Sequence, residues 1–422
     1  NFMKNQQTVD FLKLRASFGL VGNDKYSGAR FLYLDGSWTG NHAVWQNGYG
    51  SYQFGMGGSM TMLPDAVENT VGNSEVTWEK VRKQNYGIDL KMFGARLSLT
   101  ADYFFEHRYD ILSTRNTLPS IVAIELPLIN LGEVDNRGYE ISLGWNSRTE
   151  KIDWWVQGNV SYSKNKIIFM DEVMPNYPWM AQTGRSTGLN YGYRFDRFLR
   201  ADDFDADGAL KSDGEGKPLL PVMSLGSPRP GDALFKDLNG DGKIDGNDKT
   251  YFGYSQRPDY VLGLLGGFRY KNFEISMQWT AGLHASRMLS GEYRNAFGST
   301  NGRALLKFLA DGRWTPENPD ARFPRLTFLN KSHYLEDSDL WLMDGSYLRL
   351  KVAEIGYTFR DIPAFRKVGV KSLKVYFSGY NLLTLFSDLN DIDIDPEGAT
   401  SGSNIDSYPN VRIFNFGVNI TF

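Results

Sequence analysis

The sequence predicts an all-β protein that crosses a membrane as an antiparallel β-barrel, and three observations predict it. Apolar and polar residues alternate with a period of two along most of the chain, which is typical of strands with two different faces. Short and long connections alternate between these stretches, as in outer-membrane barrels. Aromatic residues make up 14% of the 422 residues and glycine contributes 44 of them, which favours this class over an ordinary soluble domain.

The alternation predicts roughly a dozen strands, many of them about ten residues long, the length that crosses a bilayer at a tilt. In the first strand Leu12, Leu14 and Phe18 alternate with Lys13 and Arg15. Equivalent patterns recur at residues 86–92, 97–105, 139–145, 154–162, 273–281 and 373–377. A short helix is indicated only near residues 304–310.

The connections predict which strand ends lie together. Tight links are expected at residues 93–96, 148–152 and 271–272, and long links, interpreted as polar, at 21–79, 106–136, 168–191, 200–260 and 283–346. Short turns on one side and long loops on the other indicate a barrel in a membrane. A soluble β-sandwich or propeller is the alternative, but no blade-length repeat is visible.

Composition excludes several functions. The formal charge is −3, from 46 basic and 49 acidic residues, which argues against a nucleic-acid partner. The absence of cysteine rules out disulfides, thiolate zinc sites and a cysteine nucleophile, and four histidines leave little for imidazole chemistry. No catalytic or nucleotide-binding motif occurs in a suitable strand–helix context. We therefore predict that the protein has no catalytic residue, binds no nucleotide and is not an enzyme.

The last segment predicts a strand with a distinct role. Its apolar residues share one face, its polar residues share the other, and the chain stops at an aromatic residue. Such a strand resembles the signal that the barrel-assembly machinery reads, against the alternative of an ordinary hairpin strand. The residues of this predicted assembly signal are Phe414, Phe416, Val418, Ile420 and Phe422.

One loop has the spacing of a calcium site, DLNGDGKIDGND. Alternate oxygen ligands around a sharp glycine turn can wrap a hard cation of this size. Asp replaces the usual Glu at the last position and neither flank looks helical, so a weak, extracellular-type site or simply an acidic polar loop is expected. A similar start at residues 203–208 is interpreted as a solvated turn. The predicted ligands are Asp237, Asn239, Asp241, the carbonyl of Lys243, Asp245 and Asp248.

Substrate-binding residues are predicted only among aromatic residues of the long connections. Their ring faces could stack on sugar rings or peptide side chains, or they could pack within loops or lie at the membrane interface. Polar-face carboxylates at Asp102, Glu140 and Glu274 could line a pathway or bind a plug. The candidate aromatic residues are Trp38, Trp45, Tyr49, Tyr52, Tyr177 and Trp179.

Nine segments in order along the chain resemble the SusC/RagA family of TonB-dependent outer-membrane transporters. They are LKLRASFGLVGND, WEKVRKQNYGIDL, NLGEVDNRGYEISL, GRSTGLNYGYRFDRF, PGDALFKDLNGDGKIDGND, WTPENPDARFPRL, SDLWLMDGSYLRLK, VYFSGYNLLT and YPNVRIFNFGVNITF. Ordered matches over nearly the whole chain make the resemblance specific.

The resemblance implies a barrel of 22 strands around an amino-terminal plug, of which residues 1–422 would supply the carboxy-terminal dozen strands. The plug and the amino-terminal half of the barrel would then be partners outside this sequence, since an open sheet edge is unstable in lipid.

It also implies a multi-pass protein of the outer membrane of Bacteroidetes-type Gram-negative bacteria, in contact with its lipid. Such a protein imports an oligomeric glycan or oligopeptide with a SusD-like surface lipoprotein and TonB acting on the plug. The alternative is a soluble or surface-attached all-β glycan-binding protein or glycoside hydrolase.

Overall fold

The structure is a computed structural model, and it describes residues 8–25, 31–34, 39–40, 51–54, 61–64, 66–67, 72–117, 127–149, 151–297, 305–328, 332–360, 362–367, 369–398 and 410–422. No helix within these ranges is long and apolar enough to cross a bilayer.

Ten long strands form one antiparallel sheet in which the order in space follows the order in the chain. The first and last strands are its edges, so the described residues form an open sheet of ten strands, compared with the dozen predicted. The predicted tight links at residues 93–96, 148–152 and 271–272 join consecutive strands. The strands are β1 Val9–Asn23, β2 Glu79–Met92, β3 Leu97–Ser113, β4 Ile129–Arg148, β5 Ile152–Phe169, β6 Tyr260–Tyr270, β7 Phe273–Leu283, β8 Tyr347–Arg360, β9 Ser372–Leu385 and β10 Ile413–Thr421.

The strand register gives the sheet one apolar and one polar face, because successive side chains point to opposite faces. One row of directly paired residues crosses nine strands and is apolar: Leu12, Leu90, Leu99, Leu143, Gly158, Leu264, Trp279, Leu350 and Leu383. The next row, on the other face, is Lys13, Asp89, Thr100, Ser142, Asn159, Gly263, Thr280, Arg349 and Thr384.

On the apolar face, five tyrosines of strands β2 to β6 pair in register, and we call them the tyrosine row. The ring centroids of Tyr139 and Tyr162 are 5.3 Å apart, and those of Tyr162 and Tyr260 are 4.6 Å apart. The row lies toward the long connections, and aromatic residues such as Trp154 and Tyr270 occupy the opposite end of the face. The tyrosine row consists of Tyr86, Tyr103, Tyr139, Tyr162 and Tyr260.

The spacing of the two aromatic levels fits a membrane. Strand β6 has an aromatic residue at each end, Tyr260 and Tyr270, ten residue steps apart. At ~3.3 Å per residue the two lie ~33 Å apart along the strand. A tilt of about 40° reduces this to ~25 Å across the membrane, the usual height of the apolar band of an outer-membrane barrel.

The long connections differ from the prediction, because they contain most of the buried apolar core of the described residues. Described residues of three connections, within 170–259, 284–297, 305–328, 332–346 and 386–398, pack together into what we call the loop body. Phe235 and Leu199 of the first, Trp341 of the second and Leu389 of the third are each at most 1% exposed. The apolar face of the sheet stays exposed instead, since lipid rather than protein covers such a face. The interpretation of the links at 168–191, 200–260 and 283–346 as polar was therefore wrong for their described residues.

Short elements complete the described residues. The short strands are Thr39–Gly40, Ser51–Phe54, Thr61–Pro64, Ala66–Val67, Asn190–Gly192, Phe195–Phe198, Val222–Met223, Ala233–Phe235, Lys243–Ile244, Thr250–Phe252, Ser286–Met288 and Leu342–Asp344. The helices are α1 Lys307–Asp311, which falls in the predicted helical region, α2 Ser332–Leu335 and α3 Pro363–Lys367. Single 3₁₀ turns occupy Pro178–Met180, Ala201–Asp203, Gly246–Asp248, Gly291–Tyr293 and Asp339–Trp341, and a longer one Asp388–Ile392.

Candidate functional site

The polar face of the sheet carries ion pairs between neighbouring strands. Arg15 lies 2.9 Å from both Asp89 and Asp102, and so joins β1, β2 and β3. Lys374 on β9 lies 2.8 Å from Glu354 on β8. In a closed barrel this face would surround the interior, where such charges can contact water, a plug or a passing polar molecule.

A buried charge cluster joins this polar face to the loop body, and we call Arg349, Lys351, Asp395 and Glu397 the Arg349 cluster. Arg349 Nη2 lies 2.8 Å from Asp395 Oδ1, and Arg349 Nη1 lies 2.7 Å from Glu397 Oε2. Lys351 forms a further ion pair with Glu397. The Arg349 side chain is only 5% exposed, so water screens these charges little. The cluster fixes residues 386–398 against strand β8.

The hydrogen bonds of Asp395 keep its carboxylate charged. Burial by itself would raise the pKa of this group. Hydrogen bonds from Arg349 and from the backbone amides of Glu397 and Asn410 outweigh that effect and hold the pKa below its ordinary value. The ion pair with Arg349 is therefore present at neutral pH.

The predicted calcium loop is folded by its own side chains. Asp237 accepts hydrogen bonds from the amides of Gly240 and Gly242, at 2.7 Å and 2.8 Å. Asp248 is fully buried, and its two oxygens accept from the amides of Leu238 and Asp245. These bonds fold the loop into successive turns, in each of which a side chain accepts from a nearby backbone amide.

The side chains of Asn239, Asp241 and Asp245 are engaged in the same way. Asn239 Oδ1 accepts from the Asp241 amide, Asp241 Oδ1 from the Lys243 amide, and Asp245 Oδ1 from the Asn247 amide. Among the described residues, no three acidic or histidine side chains converge closely enough to hold a metal ion. Each carboxylate oxygen keeps a second lone pair, and oxygen atoms of this kind are the ligands that calcium prefers. Calcium binding stays a prediction.

Two of the predicted aromatic residues pack against this loop. The rings of Tyr177 and Trp179 stack with their centroids 4.5 Å apart. Trp179 Nε1 donates to the carbonyl of Asn247, and Tyr177 Oη accepts from Asn239. Both rings are half-buried, so loop packing accounts for their contacts and their role in substrate binding stays a prediction. Trp38, Trp45, Tyr49 and the side chain of Tyr52 lie outside the described residues.

The last strand adopts the predicted geometry. The apolar residues of β10 share the sheet's apolar face, with Phe416 paired to Phe377 and Ile420 to Leu373 of β9. Phe416 is 72% exposed and the terminal Phe422 is 71% exposed. Both are therefore accessible on the apolar face, as an assembly signal would need to be. Recognition by assembly machinery stays a prediction.

Sequence reasoning missed the Arg349 cluster. A signal was present, because Arg349 and Lys351 stand two residues apart on a strand whose other face is apolar, and such cations need counter-ions. The acidic run around Asp395 and Glu397 could have supplied them. Lys351 and Glu397 are 46 residues apart in the chain. Nothing in the sequence pattern indicates that their two segments come into contact.

Comparison with known proteins agrees with this architecture. The family described as TonB dependent receptor-like, beta-barrel, matches residues 13–382. The TonB-dependent receptor P3 of Formosa agariphila is 29% identical over all of this chain and 40% of its own length. The TonB-dependent receptor SusC of Bacteroides thetaiotaomicron is 25% identical, over all of this chain and 38% of its own.

Solved structures share the fold. The RagAB peptide importer in its open-open state matches all of this chain, with a TM-score of 0.67 and 19% identity, over 41% of its own chain. The RagAB peptide transporter matches with the same TM-score and identity, over 42% of its chain. The protein described here spans about two fifths of the length of these relatives. The predicted resemblance to SusC and RagA is confirmed, and the chain belongs to the TonB-dependent receptor-like β-barrel family.

Proposed function

We propose that the protein takes part in active import of an oligomeric nutrient across the outer membrane. The observation that carries this proposal is the Arg349 cluster, which ties a packed extramembrane body to the polar face of a membrane-spanning sheet. If the sheet is part of a closed barrel, a body of packed loops anchored on the polar, inward face suits a gated passage better than an open pore or a catalytic cleft.

Energy would come from TonB pulling on a plug, driven by the proton gradient of the inner membrane. The relatives' names, TonB-dependent receptor and SusC, support this part of the proposal. A test is uptake of a fluorescent oligomer by cells with and without functional TonB. Uptake that persists at the same rate without TonB would contradict the proposal.

A SusD-like surface lipoprotein would cover the loop body and capture the substrate before import. Support comes from the SusC and RagAB relatives, whose family resemblance implies such a partner. Purification of the intact protein from its own membrane under mild conditions should recover a lipoprotein in equal amount. Recovery of the importer alone, at several detergent concentrations, would count against the partner.

The substrate is proposed to be an oligomeric glycan or an oligopeptide, imported without chemical change. Mass spectrometry of small molecules retained by the native complex distinguishes the two. A ladder of hexose masses indicates a glycan importer, whereas a spread of peptide masses indicates an oligopeptide importer. Retention of a single small chelator would refute an oligomeric substrate, and oligomers shortened by the purified protein would indicate a hydrolase instead.

A further inference from the structure

Basic side chains lie next to the tyrosine row, on the same face of the sheet and nearer the long connections. One row nearer the long connections, Arg137 of β4 pairs with Lys164 of β5. In the row after that, Asp135 pairs with Lys166. Each row is two residues, or ~7 Å, further along the strands. Since interfacial tyrosines lie at the level of lipid headgroups, these cations lie at or just above that level.

A cleft of about 1290 Å³ opens at this place. The pairing of strands β5 and β6 ends at Tyr162 and Tyr260. Beyond that pair, toward the long connections, residues 184–190 and 253–259 line the cleft. The charges of the cleft are five basic side chains and two acidic ones, a formal excess of +3. They are Arg137, Lys164, Lys166, Arg185 and Arg257, and Asp135 and Asp259.

The two carboxylates of the cleft already have cationic or histidine partners. Asp135 Oδ1 lies 2.7 Å from His107 Nδ1, and Asp259 Oδ2 lies 3.7 Å from Lys164 Nζ. Arg185 is also engaged, through hydrogen bonds to two backbone carbonyls. Neutral carbonyls do not cancel a charge, so Arg185 still contributes to the positive excess of the cleft, although these bonds hold its guanidinium group.

Three cations have no such partner. Arg137, Lys166 and Arg257 are exposed, and none of them forms an ion pair with any residue in the part of the chain that the structure describes. Unpaired cations that converge on one cleft suit a multiply charged anion, and guanidinium groups match the geometry of a phosphate.

We propose that this cleft binds the phosphorylated headgroup of a glycolipid of the outer leaflet. The position favours a lipid over a soluble anion, because the apolar rows of the sheet lie directly below the tyrosine row and would contact the acyl chains. Arg137, Lys164 and Lys166 reach the cleft from the apolar face of the sheet, whereas Asn136, Ser163 and Asn165 line it from the polar face. The proposal rests on the placement of the sheet in the membrane and not on the identity of the nutrient.

The test compares the intact protein with a variant carrying Arg137→Gln, Lys166→Gln and Arg257→Gln. Both are reconstituted in nanodiscs of zwitterionic phospholipid, and binding of bisphosphorylated lipid A is titrated by native mass spectrometry. A basic residue near an anionic lipid surface contributes roughly fivefold in affinity. The triple variant should therefore bind lipid A about 100-fold more weakly than the parent protein.

Controls separate headgroup recognition from general charge. The variant with Lys211→Gln, Lys217→Gln and Lys236→Gln removes three exposed cations of the loop body and should bind lipid A as the parent does. Dephosphorylated lipid A should bind the parent weakly. Equal binding of phosphorylated and dephosphorylated lipid A, or equal binding of lipid A by the cleft variant and the parent, would overturn the proposal. Competition by inorganic phosphate at a similar concentration would also overturn it, by indicating a free-anion site.

Discussion

Arg349 of strand β8 and Asp395 of the connection before β10 form an ion pair of 2.8 Å in which the side chains are 5% and 9% exposed. The pair connects the membrane-spanning sheet to the loop body. Removal of one member of a buried pair typically costs about 3–5 kcal/mol, because the partner charge stays buried without compensation.

We therefore expect Arg349→Met to release residues 386–398 from the sheet. Amide hydrogen exchange in this segment should accelerate by roughly 100-fold or more, which corresponds to that free energy. Arg360→Gln is a matched control, since this arginine is an exposed residue at the other end of the same strand. Unchanged protection in Arg349→Met would show that the cluster does not hold the connection.

Acid should release the same segment. Because the folded pKa of Asp395 is lowered, its contribution to stability is complete above the ordinary value of about 3.9 and is lost as the pH falls through the folded pKa. The protection factor of residues 386–398, which is the exchange rate of an unstructured chain at the same pH divided by the measured rate, should therefore be constant from pH 7 to about pH 5 and fall only below about pH 4. A fall of the protection factor near pH 6 would indicate that another group controls the connection.

A second buried ion pair stabilises the loop body itself. Asp232 is fully buried, and its Oδ1 lies 2.7 Å from Arg325 Nε. Asp232→Ala should destabilise the body by about 3–5 kcal/mol. Limited proteolysis of intact protein, which follows local opening, should then become faster by roughly 100-fold or more within the loops.

The control for this change is an exposed ion pair in the same body. Arg200 and Asp320 are 51% and 84% exposed, so Asp320→Ala should alter proteolysis by less than about fivefold. Equal effects of Asp232→Ala and Asp320→Ala would contradict a stabilising role for the buried pair.

The strands could be predicted from the sequence, whereas the loop body and the Arg349 cluster could not. Alternation over residues 12–20 and 86–92 identifies strands and faces, because a strand in a membrane faces lipid on one side and polar groups on the other. The tyrosine row needs the register between strands, which a single sequence does not contain. Trp341 and Leu389 gave no periodic signal, since their burial depends on contacts between separate irregular connections.

The calcium prediction can be tested by changing two of the predicted ligands. Asp237→Asn and Asp241→Asn remove two charges and keep one hydrogen-bond acceptor oxygen in each side chain. Weak, extracellular-type sites have dissociation constants of about 10⁻⁴–10⁻³ M, so bound metal should be measured by calorimetry at millimolar calcium. We expect the double variant to lose the binding isotherm. A control with Asp205→Asn and Asp207→Asn should keep it, and an unchanged isotherm in the 237/241 variant would refute this site.

The predicted assembly signal is open to a direct comparison of the two faces of β10. Phe416→Ser and Phe422→Ser alter the exposed apolar face, whereas Asn415→Ser and Asn419→Ser alter the polar face. We expect the first pair to lower the amount of folded protein in the outer-membrane fraction severalfold and the second pair to leave it unchanged. Equal yields for both pairs would mean that the aromatic face is not recognised during assembly.

Electrophoretic migration of the intact protein, extracted from its own membrane, tests the central claim that these strands belong to a closed transmembrane barrel. A closed barrel resists SDS until it is boiled, because its strand hydrogen bonds have no free edge. We predict different migration before and after boiling. Identical migration of the two samples would contradict the barrel and favour a soluble all-β glycan-binding protein or glycoside hydrolase.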